Sequence, residues 1–150
     1  MLKDLLRQGK EKFNELKTDA LKFKSKDFLQ AVLGGSALVA YADGSVTSEE
    51  KKKMMAFIQH NETLSIYDSG EVVNCFKDYI DTFDFDLDVG QAKAMQAIGK
   101  MRGKNEQARL IMRIVIAIAA SDGDFDSQEK AVAIQIAQEL GLDPAEFELS

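Results

Sequence analysis

The feature that most constrains this chain is an ungapped internal repeat. Residues 38–59 (LVAYADGSVTSEEKKKMMAFIQ) align on residues 117–138 (AIAASDGDFDSQEKAVAIQIAQ), 79 positions later. Ala40, Asp43, Gly44, Ser48, Glu50, Lys51 and Gln59 recur unchanged as Ala119, Asp122, Gly123, Ser127, Glu129, Lys130 and Gln138. Apolar positions correspond as well: Val39 with Ile118, Val46 with Phe125, Met55 with Ile134 and Phe57 with Ile136. A pattern that recurs as a whole marks a supersecondary unit that buries its apolar face against neighbours. Each copy reads as an apolar helix, a short acidic turn and an amphipathic helix. Two related helical hairpins packed about a pseudo-two-fold axis are therefore expected.

The remaining segments are helical too. Leu2, Leu5, Leu6, Phe13, Leu16, Ala20 and Leu21 fall at helical spacing, predicting a basic amphipathic helix over 1–26 ahead of a helical domain over 27–150. Asp27, with Gln30 three residues on, predicts the cap of a helix running FLQAVLGGSALVAYA. Gly34 and Gly35 inside that helix cost stability, which predicts close passage of another backbone. Thr47 and Glu50 form a capping-box pair for a helix with Met54, Phe57 and Ile58 facing inward. Val72, Val73, Phe76, Tyr79, Ile80 and Phe83 define the next helix, and Asp84 to Asp88 an acidic connection. Asp88 and Gln91 predict a cap for a helix stopping near Gly103, and Asn105 opens the most apolar one. Asp126 and Glu129 start a helix that Gly141 closes, before a last turn at Asp143–Pro144. No stretch sustains a period of two, so the expected fold is all-α: a single compact bundle of about seven helices.

Charge is unevenly placed. Residues 1–26 hold eight Lys/Arg against four Asp/Glu, whereas the chain as a whole carries −6. An acidic body excludes general nucleic-acid binding, which needs a basic surface. The single cysteine, Cys75, excludes an intrachain disulfide and a multi-thiolate metal site. The first residues are too charged for a secretion signal, and the apolar run from Leu110 to Ala120 is interrupted by Arg113 and far shorter than the roughly 20 residues a membrane span needs. A cytoplasmic location is expected, with residues 1–26 resting on anionic lipid at the inner membrane, docking on an acidic partner, or covering the domain core.

The duplicated turns are where chemistry is expected. Asp43 and Asp122 fall at helix C-termini, where the dipole is negative and the last carbonyls lack partners. The second turn adds Asp124 and Asp126, with Glu129 one turn on. Carboxylates so crowded repel one another unless neutralised, and oxygen-rich, sulfur-free donors suit Ca²⁺ or Mg²⁺. N-capping accounts equally for Asp126, Glu129, Thr47 and Glu50, and Asp-Gly is a common turn. Capping does not account for Asp122 or Asp124, nor for the recurrence of Asp43. The loop is not an EF-hand, since its glycine is second and its glutamate eighth. Asp84, Asp86 and Asp88 copy the acid spacing of one, but Val89 and Met95 occupy the positions that should be Gly and Glu. Cys75 borders an apolar stripe and reads as inert; His60 at a helix end reads as a dipole contact. Neither forms a nucleophile–base pair, and Gly34–Gly35 lacks the phosphate-loop lysine, so no enzyme is expected.

A DG turn between apolar helices, followed by a glutamate six residues after the glycine, occurs in ADGSVTSEEK (42–51) and again in SDGDFDSQEK (121–130). This doubled motif, over about 28 to 141, resembles the TerB-like family of tellurite-resistance proteins. The resemblance implies an all-α fold with internal duplication and divalent-cation binding through Asp43, Glu50, Asp122 and Glu129. It also implies a part in bacterial tellurite and related stress responses, beside a TerC-like membrane protein. Ser45 and Thr47 depart from the acid-rich second turn, so equal affinity at both turns is not implied. The expected ligand set is Asp43, Glu50, Asp122, Asp124, Asp126 and Glu129, with Ca²⁺ ahead of Mg²⁺ or Zn²⁺. The expected function is that of a cation-binding regulatory or adaptor protein. The competing reading is a membrane-surface interaction scaffold or co-chaperone-like module whose acidic turns are purely structural.

Overall fold

The computed structural model describes residues 21–121 and 125–149. Among them are six α-helices and two short 3₁₀ turns. The helices are α1 (Lys26–Ala40), α2 (Ser48–His60), α3 (Ser69–Phe85), α4 (Leu87–Gly99), α5 (Asn105–Ala119) and α6 (Ser127–Glu139); the 3₁₀ turns are Leu64–Ile66 and Pro144–Phe147. The described residues are all-α, as expected, with six α-helices where about seven were expected. The amphipathic helix predicted ahead of it falls mostly on residues 1–20, outside the described residues. Its predicted end at Lys26 is corrected, because Lys26 opens α1.

α1 is the helix around which the others gather. Phe28, Leu29 and every residue from Ala31 to Val39 are buried. A helix apolar on all sides must be surrounded, and α1 packs against α3, α4, α5 and α6. Its glycines make room for side chains rather than for a passing backbone, which corrects the sequence expectation. A Cβ on Gly34 would lie 3.1 Å from Tyr79 Cζ, and one on Gly35 would lie 3.0 Å from a Val115 methyl. The Tyr79 hydroxyl then donates to Gln30 Oε1 at 2.7 Å, so the buried ring keeps a partner for its polar end.

Helix starts were legible in kind but shifted in place. Ser25, not Asp27, caps α1, its hydroxyl accepting from the Phe28 amide at 3.1 Å. Asp86, not Asp88, caps α4, accepting from the Val89 amide at 3.1 Å. That residue is also the C-cap of α3, so the acidic connection contracts to a single residue between two helices. α5 begins at Asn105 after Lys104, with no side-chain cap, and α4 ends at Gly99, short of Gly103. Gly103 takes φ +88 and Gly141 φ +78, the left-handed region glycine tolerates at a helix exit.

Shifting the bounds of α1 and α2 by 79 positions reproduces those of α5 and α6. The repeat thus extends beyond 38–59 and 117–138 to whole two-helix hairpins. Their second helices differ in burial. In α2 only Ile58 is buried, and Phe57, expected to face inward, is 40% exposed. Its counterpart in α6, Ile136, is fully covered.

Candidate functional site

The turn after α1 and the end of α5 open onto one cleft of about 410 Å³. Its apolar floor comes from Val39 of α1, Val46, Met54 and Phe57 from the start and face of α2, and Ile118 and Ala119 of α5. Its rim carries Asp43 and Glu50 from the first hairpin and Asp126 and Glu129 from the second. Four of the six sequence-predicted ligands therefore line one cavity. Asp122 and Asp124, the other two, lie outside the described residues.

Local geometry explains each rim position. Tyr41 leaves α1 with its amide donating to the Ala37 carbonyl, and Gly44, at φ +98, turns the chain while donating to the Tyr41 carbonyl at 2.9 Å. Asp43 Oδ1 accepts from the Ser45 amide at 3.2 Å, a side-chain-closed turn. Thr47 and Glu50 form a reciprocal capping box: Thr47 Oγ1 accepts from the Glu50 amide, and Glu50 Oε1 from the Thr47 amide, both at 3.2 Å. Asp126 and Glu129 repeat it, at 2.8 Å for the Glu129 amide and 3.4 Å for the Asp126 amide. Each rim carboxylate thus spends one oxygen on backbone N–H groups. Asp43, Glu50 and Asp126 keep their second oxygen without a hydrogen bond among the described residues. The donors are all hard oxygens, the chemistry of Ca²⁺ or Mg²⁺. Among the described residues, however, no three of His, Cys, Asp and Glu converge as a metal cage.

Sequence reasoning missed the group that secures the first hairpin. Tyr41 donates to Asp84 Oδ1 at 2.6 Å, and Lys51 donates to Asp84 Oδ2 as an ion pair. Burial raises the Asp84 carboxyl, but the Lys51 and Tyr41 hydrogen bonds and the Lys51 charge outweigh it and hold it below the ordinary carboxylate range. Burial, then the Asp84 bond and charge, push the Tyr41 phenol well above its usual value. The available signal was Tyr41 itself, a phenol at the end of an apolar helix that needs a polar partner. Asp84, Asp86 and Asp88 do not act together: Asp84 holds Tyr41 and Lys51, Asp86 caps α4, and Asp88 lines a separate cavity beside Leu38 and Met95. Cys75 is buried, and desolvation pushes its thiol up to about 11, against the pull of Lys93. His60 Nδ1 lies 3.0 Å from the Ala56 carbonyl at the end of α2, as a helix-terminal contact.

Comparison with known proteins agrees in one direction. The family model described as "Tellurite resistance protein TerB" matches residues 29–150. A tellurium resistance protein TerB from Alcaligenes sp is 35% identical over 115 residues, covering 77% of this chain and 92% of that protein. No solved structure matches the chain.

Proposed function

The chain belongs to the TerB family of tellurite resistance proteins, and from that premise we infer that it serves tellurite resistance as a non-enzymatic adaptor that takes up a divalent cation. One observation carries this reading: carboxylates from both copies of the repeated turn line the same cleft. Asp43, Glu50, Asp126 and Glu129 would supply oxygens from the described rim, with Asp122 and Asp124 completing the set. Hard oxygen donors of this kind favour Ca²⁺ over softer ions, and affinity rises with the number of charged ligands.

Calorimetric titration of the full chain with Ca²⁺, Mg²⁺ and Zn²⁺ tests it. Saturable heat with Ca²⁺, lost in Asp122→Ala and accompanied by amide shifts around Gly123, is the expected result. Absence of heat and of any change in melting at millimolar salt would overturn it.

The two capping boxes favour a second reading, in which Glu50, Asp126 and Glu129 serve only the helix starts and the protein is an interaction scaffold. Work beside a TerC-like membrane partner, with lipid contact through residues 1–26, belongs to either reading. No described helix is long and apolar enough to cross a membrane. Flotation of the full chain and of residues 21–150, which keep the Ser25 cap of α1, with anionic liposomes checks the lipid contact; equal behaviour of the two rejects it.

A further inference from the structure

The duplication supplies an internal control for the cleft. Met54 and Phe57 of α2 correspond, at the offset of 79, to Ala133 and Ile136 of α6. Both α6 residues are fully buried, whereas Phe57 is 40% exposed and Met54 only half-buried. The same face of the same repeated helix is thus covered in one hairpin and open in the other. What it opens onto is the cleft, with Val39, Val46 and Ile118 buried beneath the Met54 and Phe57 side chains and acids bordering it on both sides.

We propose that this cleft is a docking groove for a basic amphipathic helix of a partner protein, whose apolar anchor sits against Met54 and Phe57 while its lysines or arginines meet Asp43, Glu50, Asp126 and Glu129. The proposal rests on the cleft being the functional site and names a partner for its cation-free state, since bound Ca²⁺ would neutralise the same carboxylates and compete with the helix. Charge complementarity selects the occupant. Among the described residues the rim bears four carboxylates against one lining cation, Lys53, a balance that repels acidic segments and anionic lipid and draws a basic one. An apolar trough flanked by charge is the usual receptor for an amphipathic helix, and an exposed aromatic in its floor is the usual anchor point. The chain's own leading segment is a poorer occupant. Residues 1–20 hold five Lys/Arg against four Asp/Glu, and the rest of the basic excess over 1–26 is Lys22, Lys24 and Lys26, at the entry to α1.

The test uses the full chain and a fluorescent synthetic Leu/Lys helix of about five turns, with a Leu/Glu helix of the same pattern and a shuffled Leu/Lys peptide alongside. Saturable binding of the Leu/Lys helix alone is expected. Phe57→Ser should weaken it at least about tenfold, and Lys53→Glu should strengthen it. Equal binding of the shuffled peptide overturns the proposal, as does unchanged affinity in a folded Phe57→Ser protein. Anionic vesicles captured in a Phe57-dependent way overturn it in favour of a membrane. Should Phe57→Ser misfold, a spin-labelled helix decides: broadening at Met54, Phe57 and Ile118 supports the groove, and broadening elsewhere rejects it. The Phe57 side chain offers no oxygen and its backbone carbonyl is kept in Phe57→Ser, so Ca²⁺ heat should survive the substitution. A chain that takes up Ca²⁺ but not the helix overturns the docking alone. One that takes up the helix but not Ca²⁺ overturns the cation reading alone.

Discussion

Tyr41 donates a 2.6 Å hydrogen bond to Asp84, tying the residue that ends α1 to the last turn of α3. The Tyr41 ring also stacks on Phe83 with centroids 4.7 Å apart, and Lys51 of α2 pairs with the other Asp84 oxygen. One carboxylate therefore joins three helices beside the cleft. Tyr41→Phe keeps the stacking and removes only the hydroxyl. It should cost about 1 kcal/mol, below the upper range for bonds to charged groups because the Asp84 side chain is 41% exposed. Urea unfolding measures this directly. Because the folded-state Asp84 carboxyl is held low, its contribution is present above its unfolded value of about 3.9 and is lost as pH falls through the folded one. The gap between wild type and Asp84→Asn should close in that acid window.

Gly90 is the tightest of the described glycines. A Cβ there would lie 2.6 Å from Phe83 Cγ and 2.8 Å from the Phe83 backbone Cα. Ring motion could relieve the first contact but not the second. Gly90→Ala gains up to about 1 kcal/mol of helix propensity yet should lose about 2 kcal/mol net, because α3 and α4 must separate. A fall in the urea midpoint shows the loss. An unchanged midpoint would mean that the α3–α4 junction yields easily.

How much of this could be read from the chain depends on range. Thr47 with Glu50, and Asp126 with Glu129, interact three residues apart, so the capping boxes and the repeat that holds them were legible at once. Ser25 and Asp27, or Asp86 and Asp88, are rival cap formers within one turn. Local chemistry does not choose between them, and packing does. Periodicity placed Phe57 on the apolar face of α2 but could not say whether anything covers that face. Tyr41 and Asp84 are 43 residues apart, and their meeting follows from how α1 and α3 cross. For the acidic turns, the carboxylates were legible, while their common cleft emerged only from the packing of the two hairpins.

Cys75 should be a slow thiol. Its burial pushes the thiol up to about 11, with Asp78 and Glu71 adding to the effect and Lys93 opposing it. Against an ordinary thiol near 8.5, the thiolate at neutral pH falls by about two orders of magnitude. Iodoacetamide should alkylate the folded chain at least about 100-fold more slowly than the urea-unfolded chain at pH 8. Comparable rates would show that the α3 face opens readily. The raised folded-state value also means that stability declines as pH climbs past the unfolded thiol's value.

Capping and cation binding ask different things of Glu50 and Glu129, and one substitution separates them. A capping box needs only an acceptor at its third position, which glutamine provides as well as glutamate. A cation site needs the charge. Glu129→Gln should therefore keep the capping box that starts α6 in the cation-free protein. The same change should weaken Ca²⁺ binding at least about tenfold. Glu50→Gln should behave alike but more mildly, because its turn offers Ser45 and Thr47 where the second offers Asp124 and Asp126. Calorimetry with Ca²⁺ beside thermal unfolding in chelator reads both quantities. Equal Ca²⁺ affinity in wild type and Glu129→Gln would assign the glutamate to the helix start alone and leave the second turn without its distal ligand.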